Sequence, residues 1–94
     1  MQFEWDDEKE KINIEKHGLD FSTAALVFGD ENRIERYDLV HSISEDRYIT
    51  IGLINEVTVV VMVVYTERGV RTRIISARLA TKREKEAYYN AENH

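Results

Sequence analysis

From Arg47 to Ile54 the chain alternates, with Ile49, Ile51 and Leu53 on one side and Tyr48, Thr50 and Gly52 on the other. That two-residue period predicts a half-buried strand. Val57 to Thr66 is β-branched almost throughout, which predicts a strand at the centre of the sheet, covered on both faces. Asn55-Glu56 between the two predicts a tight connection, and Glu67 to Val70, with Gly69, predicts the next turn. Arg71 to Arg78 then reads as a further strand. Alternation places Arg71, Arg73, Ile75 and Ala77 on one side of it and Thr72, Ile74, Ser76 and Arg78 on the other. Asn32 to Tyr37 alternates weakly, as an outer strand does, and Gln2 to Trp5 reads as a short strand or an extended arm that buries Phe3 and Trp5. The polar stretch Asp38 to Asp46 predicts a loop.

Helical signals occupy the two ends. Asp6 is a candidate N-cap, Asp7 and Glu8 favour the helix dipole, and Gly18 behind Lys16 and His17 is a stop, so a helix is expected over about 7–17. Its long apolar residues, Ile12 and Ile14, diverge, so it should be mostly solvated. A second start at Asp20 or Ser22 leads into Ala24, Ala25, Val27 and Phe28 and closes at Gly29, about two turns on. In the end stretch Leu79 to Ala91, Thr81 as N-cap with Glu84 three residues on has the capping-box spacing of a C-terminal helix, and Leu79, Ala87 and Tyr88 are placed to touch the sheet. Two N-terminal helices, an antiparallel sheet of about four strands and a C-terminal helix make an α+β two-layer domain, with residues 1–94 as a single unit.

The 94-residue length leaves no room for a second core. The absence of cysteine excludes disulfides, thiolate zinc sites and a cysteine nucleophile. The acidic start without an apolar signal core and the nine-residue length of the longest apolar run point to a cytoplasmic chain that neither is secreted nor spans a membrane. His17, His41 and His94 lack metal-ligand spacing, so neither a metal nor another cofactor is expected.

The net charge of −5 argues against a nucleic-acid partner until it is divided along the chain. Met1 to Val64 holds 6 Lys/Arg against 14 Asp/Glu, and Tyr65 to His94 holds 7 against 4. Within Tyr65 to Arg83, six cations, Arg68, Arg71, Arg73, Arg78, Lys82 and Arg83, face Glu67 alone. Screening confines exposed charges to within about 8 Å, so a local phosphate-attracting field is compatible with an acidic protein. The same arginines also suit an edge strand that stays soluble.

These residues suit RNA cleavage without metal, which needs a base for the ribose 2′-OH, cations around the phosphorane and an acid for the leaving 5′-oxygen. Guanidiniums of Arg68, Arg73 and Arg78 match a phosphate. His41, Glu45 and Glu67 are the available bases, and histidine is the residue type suited to proton transfer near neutral pH. Arg71, Lys82 and Arg83 extend the basic surface for RNA. Tyr89, and Tyr88 if it is not a core residue, are placed to stack on a base.

Four separated blocks carry a resemblance. Phe3-Glu4-Trp5-Asp6 with Asn13 and Lys16-His17-Gly18, the run Phe21 to Phe28, His41 with Glu45, Arg47 and Gly52, and Val64 to Arg68 with Arg73 to Arg78, Ala80, Glu84 and Tyr88 resemble the BrnT toxins of bacterial type II toxin-antitoxin systems. The resemblance implies a RelE-like fold and ribonuclease activity. It also implies neutralisation, in a hetero-oligomer, by a cognate BrnA-like antitoxin whose ribbon-helix-helix domain binds promoter DNA. The matching positions His41, Glu45, Glu67, Arg68, Arg73 and Arg78 are the catalytic candidates, with His17 as a further one that equally suits a helix end.

A reading from another class competes: a toxin-fold module that binds its antitoxin as co-repressor and cleaves nothing. Convergence of Arg68, Arg73 and Arg78 with a base on one open face favours the nuclease. Their consumption by ion pairs with Glu84, Glu86 or the N-terminal acids favours the module.

Overall fold

The computed structural model describes residues 1–54 and 59–92. The Asn55-Glu56 connection, Val57 and His94 lie outside them. The elements run β1 (Gln2–Glu4), α1 (Asp7–His17), α2 (Phe21–Ala24) with a 3-10 turn over Ala25–Gly29, β2 (Ile34–Tyr37), β3 (Tyr48–Leu53), β4 (Val60–Arg68), β5 (Arg71–Leu79) and α3 (Lys82–Glu92).

Local chemistry sets the helix starts as expected. The Asp6 carboxylate accepts the N–H groups of Glu8 at 2.8 Å and Lys9 at 3.2 Å. Asp20, rather than Ser22, caps α2 by accepting the Thr23 N–H at 3.1 Å. Hydrogen bonding from the Thr23 hydroxyl is the main reason its carboxyl lies below the ordinary value. The capping box closes in both directions: Thr81 N–H donates to Glu84 at 2.8 Å and Glu84 N–H donates to Thr81 Oγ1 at 3.2 Å.

The sheet differs from the expectation in number and direction of strands. It has five, in the order β1-β5-β4-β3-β2. β1 runs parallel to β5, which makes the sheet mixed, while the other pairs are antiparallel. β4 sits at the centre, with Val60, Val61, Met62 and Val63 all buried. Consecutive buried side chains point to opposite faces, so each face needs a cover. α1, α2 and the 3-10 turn lie over Val61, Val63, Ile74 and Ala77, and α3 lies over Val60, Met62 and Ile51 through the buried Tyr88. Helices on both faces replace the two layers expected. Leu79, expected against the sheet, is the exposed last residue of β5, and Ala87, expected there too, is exposed on α3.

The expected alternation along β5 also fails, for a local reason. Ser76 pairs with Val64 and Ile74 with Tyr65, which leaves Ile75 as an extra residue. One inserted residue shifts the side-chain phase. Ala77 therefore joins Ile74 in the core beneath α1 and α2 instead of siding with Arg71 and Arg73.

α1 is solvated, with Ile12 and Ile14 half exposed, and it is anchored by a polar residue. Buried Asn13 donates to the carbonyls of Leu19 at 2.9 Å and Ala77 at 2.8 Å and accepts the Ala77 N–H at 3.0 Å. It thereby completes the β5 edge where β1 has ended. Gly52 admits the 3-10 turn and the residues after it against the sheet, since a Cβ there would lie 2.8 Å from the Arg33 Cβ, 2.9 Å from Asp30 Oδ2 and 3.2 Å from Val27 Cγ2. Asp30 ties three elements together by accepting the Leu53 N–H at 2.9 Å, the Asn32 N–H and the Tyr88 hydroxyl. Burial pushes the Asp30 carboxyl up, but those donors and the Arg33 charge outweigh it and hold it below the ordinary value.

Candidate active site

The face of the sheet that carries α3 is covered only at one end. Beyond α3 the loop 38–47 rises beside the sheet, and between loop and sheet opens a cleft of about 350 Å³ lined by Asp38, His41, Arg47, Ile49, Ser76 and Arg78.

The loop exposes Leu39, Val40 and Ile43 among its polar residues, yet it is fastened at both ends and at Ser42. Asp38 N–H donates to Arg47 O at 2.9 Å. The Ser42 hydroxyl donates to Asp38 O at 2.6 Å and accepts the Arg47 N–H at 2.9 Å. Asp46 is held at both ends, its carbonyl by the Thr66 hydroxyl at 2.6 Å and its carboxylate by the Tyr37 hydroxyl at 2.8 Å. Side chains on this loop are thus positioned by the sheet.

Asp38 is buried and places its carboxylate 2.9 Å and 3.2 Å from Nδ1 of His41, whose side chain is 63% exposed. A carboxylate only accepts, so Nδ1 carries a proton and Nε2 of the neutral ring keeps its lone pair at the exposed side. Arg47 lines the same cleft. Its Nε is buried without a hydrogen-bond partner, and its side chain has no ion pair among the described residues. A buried guanidinium nitrogen without an acceptor loses its hydration uncompensated, so this group is suited to an anion.

Of the arginines singled out in the sequence, the four on β4 and β5 are each matched to a carboxylate. Arg78 makes a two-pronged pair with Glu84 at 2.7 Å and 3.1 Å. Arg73 meets Glu4 at 2.6 Å, Arg71 approaches the same carboxylate at 3.8 Å, and Arg68 bonds Glu45 at 3.1 Å. Glu67 follows Tyr65 in the alternation of β4 and lies on the opposite face, beside Thr72 at 3.4 Å, so it is not brought to the cleft. Tyr88 is core, and Tyr89 is 41% exposed with its ring 5.1 Å from that of Tyr88. Lys82 and Arg83 are exposed on the first turn of α3. His17 sits at the end of α1, away from the Asp38–His41 pair, in a second groove. Among the described residues no three His, Asp or Glu side chains are grouped to hold a metal ion.

Sequence reasoning passed over Asp38 and Arg47 as functional residues. The signal for Asp38 was its spacing to His41, three residues on in a polar loop. For Arg47, counting charge only from Tyr65 onward hid a cation that the fold returns to the cleft.

Glu84 joins the cap of α3 to Arg78, and this sets a pH limit. Burial pushes its carboxyl up, yet hydrogen bonds from Arg78 and Thr81, with the Arg78 charge, leave it below the ordinary 4.5. A carboxyl lowered on folding contributes stability that is complete above its unfolded value and is lost as pH falls through the folded one. Asp20 and Asp30, held below 3.8, act in the same sense. Thermal melts should therefore hold steady from pH 7 to about 5 and fall below about pH 4.5, and Glu84→Gln should flatten that fall. A melting point that rises on acidification would contradict the assignment.

Among the described residues no helix is long and apolar enough to cross a membrane. Among curated proteins no sequence matches the chain. The family model described as ribonuclease toxin, BrnT, of type II toxin-antitoxin system matches residues 5–84, a span that includes the loop 38–47, β5, Arg78 and Glu84. The chain belongs to the BrnT family of ribonuclease toxins of type II toxin-antitoxin systems.

Proposed function

We propose that residues 1–94 form a single RelE-like toxin domain that cleaves RNA in the cytoplasm without a metal ion, using the cleft beside the loop 38–47. The observation that carries this reading is the Asp38–His41 pair next to the unpaired Arg47. His41 Nε2 takes the proton from the ribose 2′-OH, the 2′-oxygen forms a bond to phosphorus, and the bond from phosphorus to the 5′-oxygen breaks. A 2′,3′-cyclic phosphate and a 5′-hydroxyl result, the 5′-oxygen taking its proton from water in this open site. Arg47 neutralises the phosphorane, and Arg78 joins it when its pair with Glu84 opens. Glu45, Arg68 and Arg73 serve at the rim, where their ion pairs open to admit phosphate, and Arg71, Lys82, Arg83 and Tyr89 extend the RNA surface. Glu67, across the sheet, is left with a structural role. The partner is a BrnA-like antitoxin with a ribbon-helix-helix domain, forming a hetero-oligomer in which the toxin is silent.

The ion pairs favour a second reading. Arg68, Arg73 and Arg78 are neutralised by Glu45, Glu4 and Glu84, as in a module that binds its antitoxin and cleaves nothing. Induced expression in a bacterium, with growth and RNA integrity followed together, separates the two. Growth arrest with RNA loss supports the nuclease, and abundant folded protein with neither supports the module.

A further inference from the structure

The Ile75 bulge joins the cleft to a second groove. β1 covers β5 only from Arg71 to Arg73, and Asn13 takes over the edge at Ala77. Ile75 and Ser76, between these two, line both the cleft and an adjoining groove of about 180 Å³ between α1 and β5. The Ser76 hydroxyl makes no hydrogen bond among the described residues.

The groove's other wall is the one cationic stripe of an acidic helix. Lys9, Asn13 and Lys16 follow the i, i+4, i+7 spacing of a single face, with Ile12 and His17 flanking them. Glu8 and Glu15 are turned about 100° away, Asp7 lies farther round, and the Glu10 carboxylate is occupied by the Phe21 N–H at 2.9 Å. Lys9, Lys16 and His17 have no ion-pair partner among the described residues, unlike the arginines of β5. From Lys9 to Lys16 the helix rises about 10 Å, enough for more than one phosphate of an extended strand.

We propose that this groove is a binding subsite for the phosphodiester backbone of single-stranded RNA that runs out of the cleavage cleft over Ser76. Lys9 and Lys16 contact phosphates, and half-exposed Ile12 offers apolar surface to the sugar or base. The proposal rests on the ribonuclease reading and extends it by assigning where the strand leaves the site. It also accounts for how an acidic chain holds RNA: the cations along the path are segregated from the carboxylates on one helix face.

The test measures binding of a twelve-nucleotide 2′-O-methyl RNA, which lacks the attacking hydroxyl and so stays intact, at several salt concentrations. Lys9→Ala with Lys16→Ala should weaken binding about ten-fold, and the slope of log K against log salt should flatten by about 1.4, two single-strand phosphate contacts. Lys9→Arg with Lys16→Arg should retain affinity, and Lys11→Ala, on the outward face of α1, should change nothing. If the double alanine variant binds as the wild type does, while the wild type still cleaves unmodified RNA, the subsite is overturned and the ribonuclease reading stands. A wild type that neither binds this oligonucleotide nor cleaves RNA overturns both.

Discussion

His41→Ala should leave the domain folded and slow RNA cleavage by about 10²- to 10⁴-fold, the usual contribution of a positioned general base. Folding is spared because the imidazole is exposed and the Asp38 carboxylate it leaves lines the open cleft, where water takes its place. The loop 38–47 keeps its backbone and hydroxyl fastenings without that ring. Asp38→Asn is the informative companion. An amide offers Nδ1 a donor as readily as an acceptor, so the ring loses its fixed tautomer while the steric fit is kept. Cleavage should fall by less than in His41→Ala, with an altered pH profile, because Asp38 acts through His41. Purified variants with matched circular dichroism and single-turnover RNA cleavage give the comparison. Unchanged cleavage in His41→Ala would remove the base from the mechanism.

Val61→Asp should abolish folding altogether. Val61 is fully buried at the centre of β4, paired with Gly52 and Leu79 and packed with Phe21, Val27 and Val63. The substitution forfeits about 2 kcal/mol of apolar burial and leaves an unpaired carboxylate in the core, which costs about 3 to 5 kcal/mol more. A chain of this size has about 5 to 14 kcal/mol of total stability, and a small domain with a limited core belongs at the lower end of that range, where a loss of about 5 to 7 kcal/mol leaves nothing. The measurement is circular dichroism through a thermal melt, where the wild type gives a cooperative transition and the variant none. A cooperatively melting Val61→Asp protein would displace Val61 from the core. Val61→Ala, at about 2 kcal/mol, should still fold.

The parts of this fold that were legible in the sequence are those fixed by neighbours along the chain. Asp6, Asp20 and the Thr81–Glu84 box act within three residues, and the apolar run of β4 announces burial by itself. The parallel pairing of β1 was not legible, because three residues carry too little pattern to choose a partner about 70 positions away. Ile75 breaks the phase of β5 through pairing with β4, which its own alternation does not reveal.

The site divides along the same line. His41 and the basic strand were visible as residue types, and the loop was visible as polar sequence. The neutralisation of Arg73 by Glu4 joins residues 69 positions apart, so charge counted along the chain showed a cationic strand where the fold makes ion pairs. Glu67 was indistinguishable from Glu45 as a candidate base until the sheet put them on opposite sides. Arg47 belonged by sequence to the acidic part of the chain, and the turn back of β3 delivers it to the cleft.

The central claim is that the Asp38–His41 pair cleaves RNA by 2′-oxygen attack with no metal ion. Its most direct test is to incubate the purified wild-type chain and His41→Ala with RNA in excess EDTA and identify the new ends. Wild-type cleavage that leaves 2′,3′-cyclic phosphate and 5′-hydroxyl ends, lost in His41→Ala, is the result expected; cleavage abolished by EDTA, or 5′-phosphate ends, would contradict it.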